Sequence, residues 1–215
     1  MCPSVVYGSQ AYIADAAESK RAFAAAIDYF EEIVLCGGEY FFWDGGMESL
    51  LSVREENHVK TIQVVTNGAL LDGDKIALLK ERFTGIGKEI MFAISLSGTT
   101  AAAYKDVCGS DGFDVAVENI KTARDRGALL TAVYTLSIHN QADWINAPRF
   151  FHDLGVYYTA NFDSLNPGLF VNEKGDVVNS FFQAFLDEHF KYFSSLRQNT
   201  LPLIVYNGER ILSSV

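Results

Sequence analysis

Nearly continuous apolar runs, rich in β-branched and aromatic residues, alternate along this chain with amphipathic segments of helical period, and that alternation is what most limits its fold. It is the pattern of parallel βαβ units rather than of hairpins. Five such runs stand out: Ile33 to Cys36, Thr61 to Thr66, Ile90 to Leu96, Leu129 to Leu136 and Val156 to Phe162. Their continuity predicts strands covered on both faces. Leu203 to Tyr206 is a candidate sixth. The intervening helices are expected at Ala16 to Glu31, Met47 to Glu56, Lys75 to Phe83, Phe113 to Arg126 and Asp143 to Asp153, with a longer aromatic helix from Asp176 to Leu196. Asp15 is placed to cap the first of these, with Phe23, Ile27 and Phe30 on one stripe, and Gly127 and Gly155 are placed to end two others.

At 215 residues and 49% hydrophobic, with sixteen Phe, ten Tyr and four Pro, the chain has the material for one large core. A single domain over residues 1–215 is expected, with a helical and strand extension from about residue 171. The formal charge of −10, with Lys and Arg scattered, argues against nucleic-acid binding. No apolar run approaches the roughly 20 residues of a membrane span, and no signal peptide opens the chain, so a cytoplasmic protein is expected. Three widely spaced cysteines, Cys2, Cys36 and Cys108, are not a disulfide framework.

In parallel β/α architectures ligands bind at the carboxyl ends of the strands. Here those ends are polar and glycine-rich: Gly37, Gly38 and Glu39 follow the first strand, Thr66, Asn67 and Gly68 end the second, and Ser95, Ser97 and Gly98 end the third. Each set alone also reads as βα turn chemistry. Asn161, Asp163 and Asn166 follow the last of the five strands, either to meet substrate or to build the turn before Pro167. Tyr40, Phe41, Phe42 and Trp43 follow Glu39 and either line a pocket or pack against the next helix. His58, His139, His152 and His189 have no metal-ligand spacing.

In order and spacing these segments resemble the radical S-adenosylmethionine superfamily, above all its peptide-modifying and sulfatase-maturating members. The resemblance rests on Gly37-Gly38-Glu39, on Val64 to Leu71 (VVTNGALL), on Ile94 to Gly98 (ISLSG), and on Tyr104, Gly109, Phe113, Asp114, Asn119 and Ile120. Tyr40 stands where Pro is usual, and Cys108 stands before Gly109 where many relatives have Arg. The resemblance implies an α/β fold, a parallel (β/α) partial TIM barrel lacking its first strand. It implies that Gly37, Gly38 and Glu39 bind the amino group of S-adenosylmethionine, with Thr66 and Asn67 at the same strand ends. Ser95 and Ser97 then lie near the ribose or carboxylate, and Thr135 borders the adenine. The implied reaction is reductive cleavage of S-adenosylmethionine at a 4Fe–4S cluster, followed by hydrogen abstraction from a peptide or small-molecule substrate.

Such a cluster needs three closely spaced thiolates. Cys2 precedes the GGE by the gap typical of the last cluster cysteine, with one helix between. The expectation is therefore that the chain starts inside the motif and that the cluster forms only if two cysteines lie upstream. An incidental Cys2 stays open, as does a barrel without a cluster that acts as a binding or partner protein. An open doubly wound sheet is disfavoured, because no G-x-G-x-x-G follows the first strand.

Overall fold

The structure, a computed structural model, describes residues 15–43, 45–162, 177 and 179–193, with backbone alone at 162, 193, 205–206 and 209–210. Five strands form one sheet in sequential order: β1 (Glu32–Leu35), β2 (Thr61–Thr66), β3 (Glu89–Ser95), β4 (Leu129–Leu136) and β5 (Tyr158–Phe162). The helices are α1 (Ala16–Tyr29), α2 (Gly45–Leu51), α3 (Gly73–Gly85), α4 (Ala101–Cys108), α5 (Phe113–Asp125), α6 (Ala147–Leu154) and α7 (Ser180–Phe193), with 3-10 turns at Tyr40–Phe42 and Ile138–Asn146. Of the run Leu203 to Tyr206, expected as a further strand, Val205–Tyr206 is β6 and pairs antiparallel with β7 (Glu209–Arg210), while 203–204 lie outside the described residues. Among the described residues no helix is long and apolar enough to cross a membrane.

The chain divides into two compact units, Cys2–Ile94 with Val115–Thr131, and Ser95–Asp114 with Ala132–Val215. In the first unit β1, β2 and β3 pair parallel, with Ile33 beside Ile62 and Val64 beside Phe92. Ile62, Val64 and Thr66 on one face of β2 are buried, and the other buried residues of this unit include Leu50, Leu79, Phe83 and Ile120. Asp15 caps α1 by accepting from the Ala17 and Glu18 amides, as expected, and Phe23 and Ile27 are buried. Phe30 departs from the expected stripe: the helix ends at Tyr29, Phe30 is extended, and its ring is exposed. β1 also departs from the expected two-sided burial, because Val34 is 58% exposed. Asp72 accepts from the Lys75 amide to cap α3, and α5 ends before Gly127, whose φ of +62° suits glycine.

In the second unit β4 and β5 pair parallel, with Thr135 beside Asn161. Leu96, just past β3, donates its amide to the Val133 carbonyl at 2.9 Å. Trp144, Tyr134, Phe151 and Phe185 are fully buried, and Phe151 stacks on Tyr158 with ring centroids 4.7 Å apart. The helix expected from Asp143 begins instead as the 3-10 turn and becomes α6 only at Ala147, with Pro148 in its first turn. The expected helix ends at 176 and 194–196 lie outside the described residues.

His189 on α7 is 5% exposed and lies 2.6 Å through Nδ1 from the Tyr158 hydroxyl. Burial raises the Tyr158 phenol above its usual range, so it keeps its proton. Burial also lowers the His189 pKa from 6.5 to about 4. The unfolded chain therefore takes up the proton first. Stability from this group is complete above about pH 6.5 and drains away as pH falls toward about 4, a loss of roughly 3 kcal/mol. Urea unfolding at pH 7 and pH 4.5 should show a steeper acid loss for the wild type than for His189→Phe; equal slopes would refute this.

Candidate functional site

Glu39 is held in place from three sides within the first unit. Its Oε1 accepts from the Thr66 hydroxyl at 2.6 Å and from the Phe41 amide at 3.2 Å, and its Oε2 accepts from the Asn67 amide at 2.8 Å. The Phe41 bond makes it the cap of the Tyr40–Phe42 turn. Among the described residues no Lys, Arg or His forms an ion pair with it. It is thus a half-buried, oriented carboxylate whose charge is met only by neutral donors.

The two preceding glycines are exposed, and a Cβ built on either meets nothing within 4 Å. Gly37 has a φ of +142°, which a side chain would strain, whereas Gly38 carries no such constraint. Thr66 is buried, its hydroxyl also accepting from the Gly68 amide at 3.0 Å, and Asn67 is exposed, its Oδ1 accepting from the Ala69 amide. Gly68 is required sterically: its φ is +78°, and a Cβ there lies 2.7 Å from the Ile94 side chain. Asn119, one of the residues that carry the family resemblance, donates to the Gly68 carbonyl at 2.7 Å.

The aromatic set divides. Tyr40 donates to the Gly46 carbonyl at 3.2 Å and packs edge-on to Trp43, while Phe42 is 80% exposed. Local packing thus accounts for Tyr40 and Trp43 and leaves Phe42 at the surface.

In the second unit Ser95 ends β3 half-buried, and Ser97 is buried with its hydroxyl accepting from the Thr135 amide at 3.2 Å. Thr135 is half-buried and Asn161 exposed; Asp163, Asn166 and Cys2 lie outside the described residues. Tyr104 is buried and packs against Phe113, so those residues of the family pattern are structural.

Two residues that sequence reasoning passed over organise these strand ends. Asn140 bonds to Ser97 and Thr135, and Asp143 accepts from the Thr99 amide at 2.7 Å, from the Thr99 hydroxyl and from the Tyr134 hydroxyl at 3.0 Å. Asn140 has one signal in the sequence, Ser137-x-x-Asn140, the spacing of a capping box, and the structure forms that box.

Cys36 and Cys108 are both exposed, and among the described residues no group of three His, Cys, Asp or Glu side chains is placed to hold a metal ion.

No curated protein matches the sequence. Solved structures do match the fold. SuiB from Streptococcus suis bound to S-adenosylmethionine aligns at 14% identity and TM-score 0.60, covering 89% of this chain and 43% of its own. SuiB bound to the precursor peptide SuiA aligns at 15% identity and TM-score 0.62, covering 89% and 42%. anSMEcpe with bound AdoMet and Cp18Cys peptide aligns at 17% identity and TM-score 0.54, covering 84% and 51%. The chain thus spans about half the length of these structures or less. At these identities the likeness establishes the parallel α/β architecture of the partial barrel. The profile of the radical SAM superfamily matches residues 2–151, well over half of the sequence, and the chain belongs to that superfamily.

Proposed function

We propose that this chain binds S-adenosylmethionine and serves, as a single partial-barrel domain in the cytoplasm, as a radical S-adenosylmethionine enzyme acting on a peptide substrate. The observation that carries the reading is Glu39: an oriented carboxylate at a strand end, without a cationic partner among the described residues, beside two glycines with open space over them. A ligand ammonium supplies the charge that Glu39 lacks, and backbone without Cβ atoms lets that ligand approach. Gly37, Gly38, Glu39, Thr66 and Asn67 take the methionine end in this reading, and Ser95, Ser97 and Thr135 take the adenosine end. Asn161 and Asp163 are the candidates to meet substrate. A peptide substrate is favoured because SuiB and anSMEcpe are both known in complexes with peptides.

When bound, S-adenosylmethionine supplies the hydrogen-abstracting group of this family's chemistry. Its reductive cleavage would take the electron from a 4Fe–4S cluster, which three thiolates hold. Cys2 is the chain's candidate ligand, but Cys36 and Cys108 are far from it and from each other in sequence, and one thiolate does not replace three. These cysteines do not by themselves make a cluster site.

Calorimetric titration with S-adenosylmethionine tests the reading. The wild type should bind, and Gly38→Val should bind at least about tenfold more weakly with an unchanged melting temperature, since the new side chain fills space the ligand needs and meets no protein atom within 4 Å of its Cβ. Absence of binding by the folded wild type overturns the proposal.

A further inference from the structure

Asn140, in the 3-10 turn that follows β4, is 3% exposed and uses all of its hydrogen-bonding capacity. Its Nδ2 donates to the Ser97 carbonyl at 3.0 Å and to the Thr135 carbonyl at 2.9 Å. Its Oδ1 accepts from the Ser137 amide at 2.9 Å and from the Trp144 indole at 2.7 Å. Two carbonyls on one side and two N–H donors on the other fix the orientation of the carboxamide. The Thr135 amide meanwhile donates to the Ser97 hydroxyl. Both backbone groups of Thr135 are therefore spoken for, and the side chain of this half-buried residue is the group left to meet a ligand.

We propose that Asn140 is a positioning residue that locks the end of β4 to the segment after β3, so that Thr135 presents its hydroxyl, and not its backbone, to the adenosine end of S-adenosylmethionine. This rests on the function proposed above and goes one step past it, to what selects the adenosine moiety. Asp143 braces the same segment from the same turn through the Thr99 amide, so Ser97 and Thr99 are held from one structural element.

Asn140→Asp tests it, because a carboxylate of the same shape turns both donor bonds into repulsive contacts with carbonyls. The readout is calorimetric affinity for S-adenosylmethionine and for 5′-methylthioadenosine, which has the adenosine end without the amino acid. Asn140→Asp should weaken both by the same factor, about tenfold or more. Glu39→Ala should weaken S-adenosylmethionine alone. Phe185→Leu, at a buried residue of α7 outside this hydrogen-bond network, should lower the melting temperature without changing either affinity.

If the wild type binds S-adenosylmethionine and Asn140→Asp binds both ligands as the wild type does, the positioning role is wrong and the proposed function stands. Equal weakening by Phe185→Leu also overturns it, since instability would then explain the loss. Failure of the wild type to bind either ligand overturns both readings. Should Asn140→Asp fail to fold, Thr135→Val decides: it keeps the backbone clamp and removes the hydroxyl, so it should weaken both ligands equally, and unchanged affinity refutes the proposal.

Discussion

Glu39→Ala is expected to reduce S-adenosylmethionine affinity by ten- to a hundredfold, with only a small loss of stability. A charge-assisted hydrogen bond contributes roughly 1.5 to 3 kcal/mol, and every 1.4 kcal/mol is about a factor of ten. The substitution removes the ligand's counter-charge and also releases the Thr66 hydroxyl and the Asn67 amide. The second effect has a cheap remedy for Asn67, which is exposed and can turn its amide to water, but less so for buried Thr66. Glu39→Gln separates the two effects, since it keeps an acceptor oxygen for Thr66 and removes the charge. Isothermal titration showing wild-type affinity in both variants would mean that Glu39 serves only to join the end of β1 to the end of β2.

Gly98→Ala carries the largest expected structural effect. A Cβ at Gly98 falls 2.3 Å from the Tyr104 amide nitrogen, 2.7 Å from its Cα and 2.8 Å from the Ala103 carbonyl carbon. All three are backbone atoms of α4, a helix fixed by Thr100 at its start and by the buried Tyr104 and Val107 along its length. Neither partner has a flexible end to withdraw, so the clash must be relieved by moving a strand end or a helix. Overpacking of this kind costs about 3 kcal/mol. For a chain of this size that is a fall in melting temperature of roughly 6 to 12 °C. Differential scanning calorimetry on Gly98→Ala and Gly38→Ala side by side makes the comparison direct: the first should melt far lower, the second almost unchanged, because nothing lies within 4 Å of a Cβ at Gly38. Similar melting of the two would contradict the close approach at Gly98.

The contrast between these two glycines shows what was legible in the sequence and what was not. Strand positions were readable because an apolar run between turn residues is a local signal: Thr61–Thr66 and Leu129–Leu136 match residue for residue, and the others shift by one or two. Exposure of β1 was not readable, since an edge strand differs from a central one in its neighbours, not in its own composition. α4 was missed because Ala101–Cys108 is short and its apolar stripe, Tyr104 and Val107, is only two residues wide. The glycine-rich strand ends were readable as a pattern, but the pattern does not distinguish Gly38, with open space above it, from Gly98, pressed against a helix. The long-range roles of Asn140 and Asp143 were not readable for a related reason: their value comes from reaching Ser97 and Thr99, some forty residues away in sequence.

The two tryptophans of this sequence fall one in each compact unit, Trp43 half-buried beside Tyr40 and Trp144 wholly enclosed. Their indoles therefore sense different polarities, and the expected result is that their fluorescence separates by wavelength, with the emission of Trp144 to the blue of that of Trp43. Because the colours belong to different units, one spectrum recorded through a denaturant series reads the melting of each unit on its own channel. Coincidence of the two curves is then a direct measure of whether the chain unfolds as one cooperative body.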